Sequence, residues 1–174
     1  INGAGFCTGA LIAPNLVLTA AHCLYDRKTR TRIDAETIEF LAGWRNGRAS
    51  AYRFVRRAVV HPDYSYEENL APERVKNDVA LLELQHPIRN GTIKPFETGS
   101  RPDTGAEVGV VSYAHDRADA PSLQDLCDVI SRQQGVLVMS CTVPAERIVR
   151  PSSSCVLRPR ARRCLMRPRG VTTR

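Results

Sequence analysis

The chain has 174 residues, of which 43% are hydrophobic and 25% are charged, and its 11 Gly and 11 Pro are scattered along the sequence. This length and composition predict one domain, or one compact unit of two lobes, that is large enough to bury a core. No stretch reaches the roughly 18 consecutive apolar residues that a membrane span needs, so we expect no membrane partner.

The positive charge is confined to one end of the chain. The formal net charge is +7, from 25 Lys and Arg against 18 Asp and Glu. Residues 144–174 contain nine Arg, no Lys and one Glu, a balance of +8, which leaves residues 1–143 with a balance of −1. A uniform basic face is therefore not indicated, and we expect no nucleic-acid partner apart from an effect of this basic tail.

Short apolar runs separated by turn residues dominate the first 143 residues, and they predict strands. In chain order these runs are GALIA, LVLTAA, TIEFLAGW, AYRFVRRAVV, DVALLEL, EVGVVSYA and GVLVMSC. Residues 65–77 are predicted as a polar loop. Residues 120–133 are predicted as a helix, because apolar residues recur there at three- and four-residue steps. Many short strands with little helix predict an all-β barrel or sandwich.

The cysteine pattern bears on both metal binding and cellular compartment. None of the six cysteines forms a C-x-x-C motif or has zinc-finger spacing, so we expect no structural metal and no cofactor. An even count with two short spacings is typical of disulfides in an oxidising compartment, but buried free thiols remain an equal alternative at this point. The cysteines are Cys7, Cys23, Cys127, Cys141, Cys155 and Cys164.

Two residues far apart in sequence have complementary chemistry. His22 follows the run LVLTAA, and Asp78 stands at the entrance to the predicted strand DVALLEL. A carboxylate that leads into a buried strand is costly unless it accepts hydrogen bonds, and an imidazole Nδ1–H is a suitable donor. Such a carboxylate fixes the tautomer of the ring and leaves Nε2 free as a general base. Taken singly, each residue is more typical of a structural role.

The motifs around these two residues resemble a known family. GFCTGALIAPNLVLTAAHC, residues 5–23, is similar to the first catalytic block of the trypsin-like (chymotrypsin-fold) serine proteases, and NDVALLEL is similar to their Asp block. The resemblance covers residues 5 to about 143, and the bacterial secreted members look closest. It implies a double antiparallel β-barrel whose second barrel is incomplete in this chain. It also implies a secreted or periplasmic endopeptidase, a monomer that acts on protein or peptide substrates.

The resemblance also implies roles for individual residues. His22 corresponds to the general base and acid of the family, and Asp78 corresponds to the carboxylate that orients it. Two disulfides follow from the same correspondence, Cys7 with Cys23 and Cys127 with Cys141.

The chain departs from the family pattern after residue 143. A block of the type Gly-x-Ser-Gly, which carries the nucleophile, is absent from the sequence, and residues 152–154 are serines without flanking glycines. With CGG ATC GTC CGG as the codons of residues 147–150 and C as the next base, the shifted frame reads Gly-Ser-Ser-Gly. We therefore expect a peptidase domain at residues 1–143 and an out-of-frame or disordered tail at 144–174. The start at Ile1-Asn2-Gly3 is interpreted as truncated.

Three functions remain in competition for this chain. The first is a serine endopeptidase that is inactive as written because the Gly-x-Ser-Gly block is absent, and whose nucleophile is unknown. The second is a non-catalytic, protease-like binding module that retains His22 and Asp78. The third makes the Arg-rich tail a binder of nucleic acid or of another anionic surface.

Overall fold

A computed structural model describes residues 7–66, 72–113 and 120–141 of the chain. These residues form two antiparallel sheets joined by loops, two 3-10 helices and one short α-helix. The first sheet contains β1 (Gly9–Ala13), β2 (Leu16–Thr19), β3 (Glu39–Ala42), β4 (Ala51–Val60) and β5 (Ala80–Leu84). The second contains β6 (Glu107–Ser112), β7 (Ser122–Gln133) and β8 (Val136–Met139). The helices are the 3-10 turns Ala21–Leu24 and Ala35–Thr37 and the α-helix α1 (Pro72–Asn77).

The first sheet has the strand order β1-β2-β5-β4-β3 and forms a half-barrel. Each predicted strand of residues 9–84 is present, and the run AYRFVRRAVV coincides with the whole of β4. Side chains alternate between the inner and outer faces, as in β5, where every second residue is buried. A bulge between Val55 and Arg57 interrupts the pairing of β4 with β5, which lets the long strand bend around the core.

The main hydrophobic core fills the concave side of this half-barrel. Leu11, Val17 and Val55 are each 0% exposed and come from three different strands. Leu24 and Ile88 close the core from outside the strands and are almost as deeply buried. The β-branched and leucine-rich composition of the predicted strands thus supplies one continuous apolar cluster.

The second sheet has the order β6-β7-β8 and a much smaller core. Its fully buried members are Val108, Cys127 and Val129, with partly buried neighbours from β6 and β8. A two-residue turn at Gln134-Gly135 joins β7 to β8, and both residues have positive φ, 49° and 88°. Two positive φ values are the geometry that matches the twist of a tight β-hairpin.

The predicted helix at residues 120–133 is wrong, because residues 122–133 form β7. The pairing of β7 contains two irregularities, one between Gln124 and Cys127 and one between Val129 and Ser131, and each inserts one extra residue into β7. Leu126, inside the first of them, has a φ of 67°. The apolar residues that gave the helical spacing do not share a buried face, because Val129 is 1% exposed whereas Leu123, Leu126 and Ile130 are each 56% exposed.

The predicted polar loop at residues 65–77 is correct only in part, because its last six residues form α1. Several other predictions concern residues outside the described ranges. These are the tail at 144–174 with its serines at 152–154, the start at 1–3, Cys155 and Cys164. Within the described residues, no helix has the length and apolarity required to cross a bilayer.

Candidate active site

His22 is presented by the tight turn that follows β2. The backbone is still extended at Ala20, with φ −83° and ψ 142°, and then enters the 3-10 helix Ala21–Leu24. Ala20 and Ala21 are 4% and 0% exposed, so only small side chains fit between the turn and the core. The 3-10 helix ends at Tyr25, where the backbone is extended again and the N–H donates to the His22 carbonyl at 3.3 Å.

Asp78 is presented by the junction between α1 and β5. Its backbone N–H donates to the Val75 carbonyl at 3.3 Å, which closes the last turn of the short helix. β2 and β5 are antiparallel neighbours, and Thr19, the last residue of β2, pairs with Ala80, the first residue of β5. His22 therefore lies three residues beyond one end of the pair and Asp78 two residues before it, at the same edge of the sheet.

The two side chains make a double contact at this edge. The His22 ring nitrogen Nδ1 lies 2.6 Å from Asp78 Oδ2, and the backbone N–H of His22 donates to Asp78 Oδ1 at 2.8 Å. The side chains are only 6% and 9% exposed. A carboxylate that accepts both bonds holds the ring in one plane and places the Nδ1 proton, so Nε2 is left with its lone pair. The second, backbone bond was not predicted from the sequence.

A disulfide closes the back of this turn. Cys7 and Cys23 are bonded, with a Cα–Cα distance of 6.1 Å, and tie the segment before β1 to the residue after His22. Among the described residues, Cys7, His22 and Cys23 also form one group whose potential metal-ligand atoms lie within 4.8 Å of one another. The two sulfurs are bonded to each other, whereas metals bind the thiolate form. The group is therefore an imidazole against a disulfide.

The second disulfide lies in the other sheet. Cys127, in the middle of β7, is bonded to Cys141, which follows β8. This bond fastens the end of β8 to β7 at the point where the described chain ends. Both disulfides therefore join the cysteines that the family resemblance pairs, one in each lobe.

Two threonines beside the site were not predicted from the sequence. Within the described ranges, the buried polar residues are Thr8, Thr19 and His22, at 4%, 7% and 7% exposure. Thr19 Oγ1 donates to the Thr8 carbonyl at 2.9 Å, and Thr8 Oγ1 accepts from the backbone N–H of Tyr113 at 3.2 Å. Thr19 could have been recognised in the sequence as a hydrogen-bonded residue, because it is the polar residue of the apolar run LVLTAA and a buried hydroxyl needs a partner.

Solved structures with a similar fold place the two-sheet architecture in a known class. A Glu endopeptidase in complex with MPD superimposes with a TM-score of 0.59 at 21% identity, covering 75% of this chain and 60% of that one. Kallikrein-related peptidase 10 in complex with Zn²⁺ gives a TM-score of 0.51 at 24% identity, covering 75% and 55%. The fold is thus a chymotrypsin-type double β-barrel with an incomplete second barrel, which confirms the predicted fold class.

The family model for trypsin matches residues 1–155, and the chain belongs to this family of serine proteases. The match runs past residue 143, where the sequence predicts the end of the peptidase domain. Mouse cathepsin G is 34% identical over 94 residues, which are 53% of this chain and 31% of cathepsin G. Trypsin from Phaedon cochleariae is 32% identical over 105 residues, 59% of this chain and 36% of that protein. Guinea pig coagulation factor XII is 39% identical over 83 residues, 48% and 13%. The chain spans about a third or less of each of these relatives.

Proposed function

We propose that this chain derives from a serine-type endopeptidase in which His22 and Asp78 are two members of a catalytic triad. The single observation that carries the proposal is the double hydrogen bond between these residues, with 2.6 Å between Nδ1 and Oδ2, in a member of the trypsin family. Its support is geometric. The bond is buried, it fixes the ring, and it leaves one ring nitrogen for proton transfer.

The chemistry follows from the roles of the two groups. Nε2 of His22 takes the proton of a serine hydroxyl as the oxygen attacks the peptide carbonyl, and later gives this proton to the leaving amine. Asp78 remains ionised, holds the Nδ1–H tautomer and stabilises the imidazolium that forms. Positioning the base in advance removes the cost of finding this geometry in each catalytic cycle.

We propose further that the chain as written is inactive and that residues from about 144 onward are read out of frame. The absence of a Gly-x-Ser-Gly block supports this, because the glycines let the backbone turn so that N–H groups face the developing oxyanion. The nine Arg without Lys in residues 144–174 support it as well, and codons can be chosen for residues 147–150 whose shifted frame reads Gly-Ser-Ser-Gly. In this view residues 1–143 are the peptidase domain and the nucleophile is encoded in the other frame.

The setting we propose is that of a secreted or periplasmic monomer that acts on proteins or peptides without cofactor or metal. The disulfides in both lobes support an oxidising compartment. Assignment to the bacterial secreted branch rests on the motif resemblance alone, since the relatives named above are animal proteins. Partners among nucleic acids or membranes form no part of the proposal.

A fluorophosphonate probe tests this function, because it labels only an activated serine. We expect no labelling of this chain and labelling of a frame-restored version, in which deletion of one base upstream of codon 147 brings Gly-Ser-Ser-Gly into frame. His22→Ala in the restored protein should abolish labelling, whereas His61→Ala, at an exposed histidine, should not. A restored protein that folds but is never labelled would instead favour the non-catalytic binding module. Retained labelling in His22→Ala would reject the assigned roles.

A further inference from the structure

The second sheet touches the first at the segments that carry the candidate catalytic pair. At one end of the second sheet, Tyr113 directly follows β6, and its backbone N–H donates to Thr8 Oγ1 at 3.2 Å. Its phenolic hydroxyl donates to the carbonyl of Trp44, in the loop between β3 and β4. Tyr113 therefore bonds to two separate parts of the first lobe from a single residue of the second.

Thr8 connects this contact to the histidine. Thr8 is bonded covalently to Cys7, whose disulfide partner Cys23 is the residue after His22. The Thr8 carbonyl accepts from Thr19 Oγ1, and Thr19 ends β2 three residues before His22. Thr8 is thus linked to the residues on both sides of His22, through the disulfide to Cys23 and through its hydrogen bond to Thr19 at the end of β2.

At its other end the second sheet contacts the helix that precedes Asp78. A Cβ built on Gly135, in the β7–β8 turn, would lie 3.2 Å from Cδ of Lys76. The aliphatic part of Lys76 therefore lies directly against this turn, two residues before Asp78. Both members of the candidate pair are consequently flanked by a contact with the second lobe.

We propose that Thr8, Thr19 and Tyr113 form an inter-sheet latch, and that Tyr113 is a positioning residue which holds the second lobe at a fixed place relative to His22. The burial of the two threonines supports this, because burying a hydroxyl costs free energy unless its hydrogen bonds offset the loss of hydration. The proposal rests on the proposed function, in which the first lobe supplies base and carboxylate and the nucleophile is encoded after the strands of the second lobe. Small errors in such alignment are expensive, since a misplacement of about 1 Å can cost on the order of 100-fold in rate.

The first test uses the chain as it is. Thr8→Val keeps the shape of the side chain and the Thr8 carbonyl but removes the acceptor for Tyr113. We expect hydrogen exchange of the Tyr113 amide to accelerate about tenfold or more, while the amides of the β2–β5 ladder keep their protection. Thr8→Ser should restore the slow exchange. Unchanged exchange at Tyr113 in Thr8→Val would overturn the latch.

The second test uses the frame-restored enzyme and separates positioning from folding. We expect Thr8→Val to lower kcat about 10- to 100-fold with little change in KM, and Thr8→Ser to recover most of it. Tyr113→Phe, which removes only the bond to Trp44, should cost less. Tyr52→Phe is the matched control, because its hydroxyl accepts from Ala49 N–H within the first lobe at 2.9 Å. If His22→Ala is inactive while Thr8→Val and Tyr113→Phe have the kcat of the unmodified enzyme, the latch is refuted and the function stands. If His22→Ala is active, the function fails regardless of the latch.

Discussion

Replacing Asp78 tests the geometry of the site without any need for a nucleophile. In Asp78→Ala the backbone N–H and the ring Nδ1 of His22 both lose their acceptor in a region where the two side chains are less than a tenth exposed. Hydrogen bonds to a charged group contribute roughly 1.5–3 kcal/mol each. Removing the carboxylate also removes the desolvation cost of burying its charge, which offsets part of the loss. We expect Asp78→Ala to lower the free energy of unfolding by about 3 kcal/mol.

Asp78→Asn is the more informative change. The amide oxygen can still accept from the backbone N–H of His22, but the amide nitrogen now faces Nδ1 and can only donate. The ring must therefore carry its proton on Nε2, the reverse of the tautomer that the carboxylate imposes. Because two neutral bonds replace two charge-assisted ones, we expect a loss of only about 1 kcal/mol in stability.

Chemical denaturation and ¹⁵N NMR of the histidine ring measure these two outcomes. The spectrum of His22→Gln identifies the His22 signals, and neutral-ring conditions reveal which nitrogen is protonated. Asp103→Asn, at an exposed aspartate, controls for the loss of charge. The reasoning is refuted if the same nitrogen is protonated in the unmodified chain and in Asp78→Asn, or if Asp78→Ala unfolds at the same denaturant concentration as the unmodified chain.

Three further predictions concern the core, the hairpin turn and a tyrosine. Leu11→Ala, at a side chain 0% exposed, should cost about 2–5 kcal/mol in urea unfolding, whereas Leu123→Ala, at 56% exposure, should cost less than about 1 kcal/mol. Gly135→Ala should cost about 1–2 kcal/mol by the same measurement, because φ is +88° and the new Cβ meets a lysine stem. Gly91→Ala, with nothing within 4 Å, should be near neutral, and an equal loss at both glycines would contradict this account. Burial raises the pKa of Tyr113 to about 12 from 10.0, so folded chains keep a proton that unfolded chains release. Stability should therefore be complete below about pH 10 and decline towards about pH 12, and Tyr113→Phe should remove that part of the decline.

The first sheet could be predicted from sequence because its local and long-range signals agree. Each strand from β1 to β5 lies in a predicted apolar run that ends at turn residues, and each contributes to one core, with alternate positions buried in β2, β3 and β5. β7 could not be predicted in the same way. Its two inserted residues break the two-residue period, and three of the apolar residues that gave it a helical spacing, Leu123, Leu126 and Ile130, are each 56% exposed.

The candidate pair could also be predicted from the sequence, because both residues flank strands of the first sheet. His22 and Asp78 lie 56 positions apart, yet the register that pairs Thr19 with Ala80 brings their segments to one edge. Their contact is therefore a consequence of a strand pairing that involves the first lobe alone. The latch is a different kind of feature. Thr8 and Tyr113 lie 105 positions apart and belong to different lobes, and only the packing of one sheet against the other makes a hydroxyl at position 8 the acceptor for an amide at position 113. Residues that build a site within one sheet leave a pattern in the sequence, whereas residues that align two sheets become visible only when both sheets are in place.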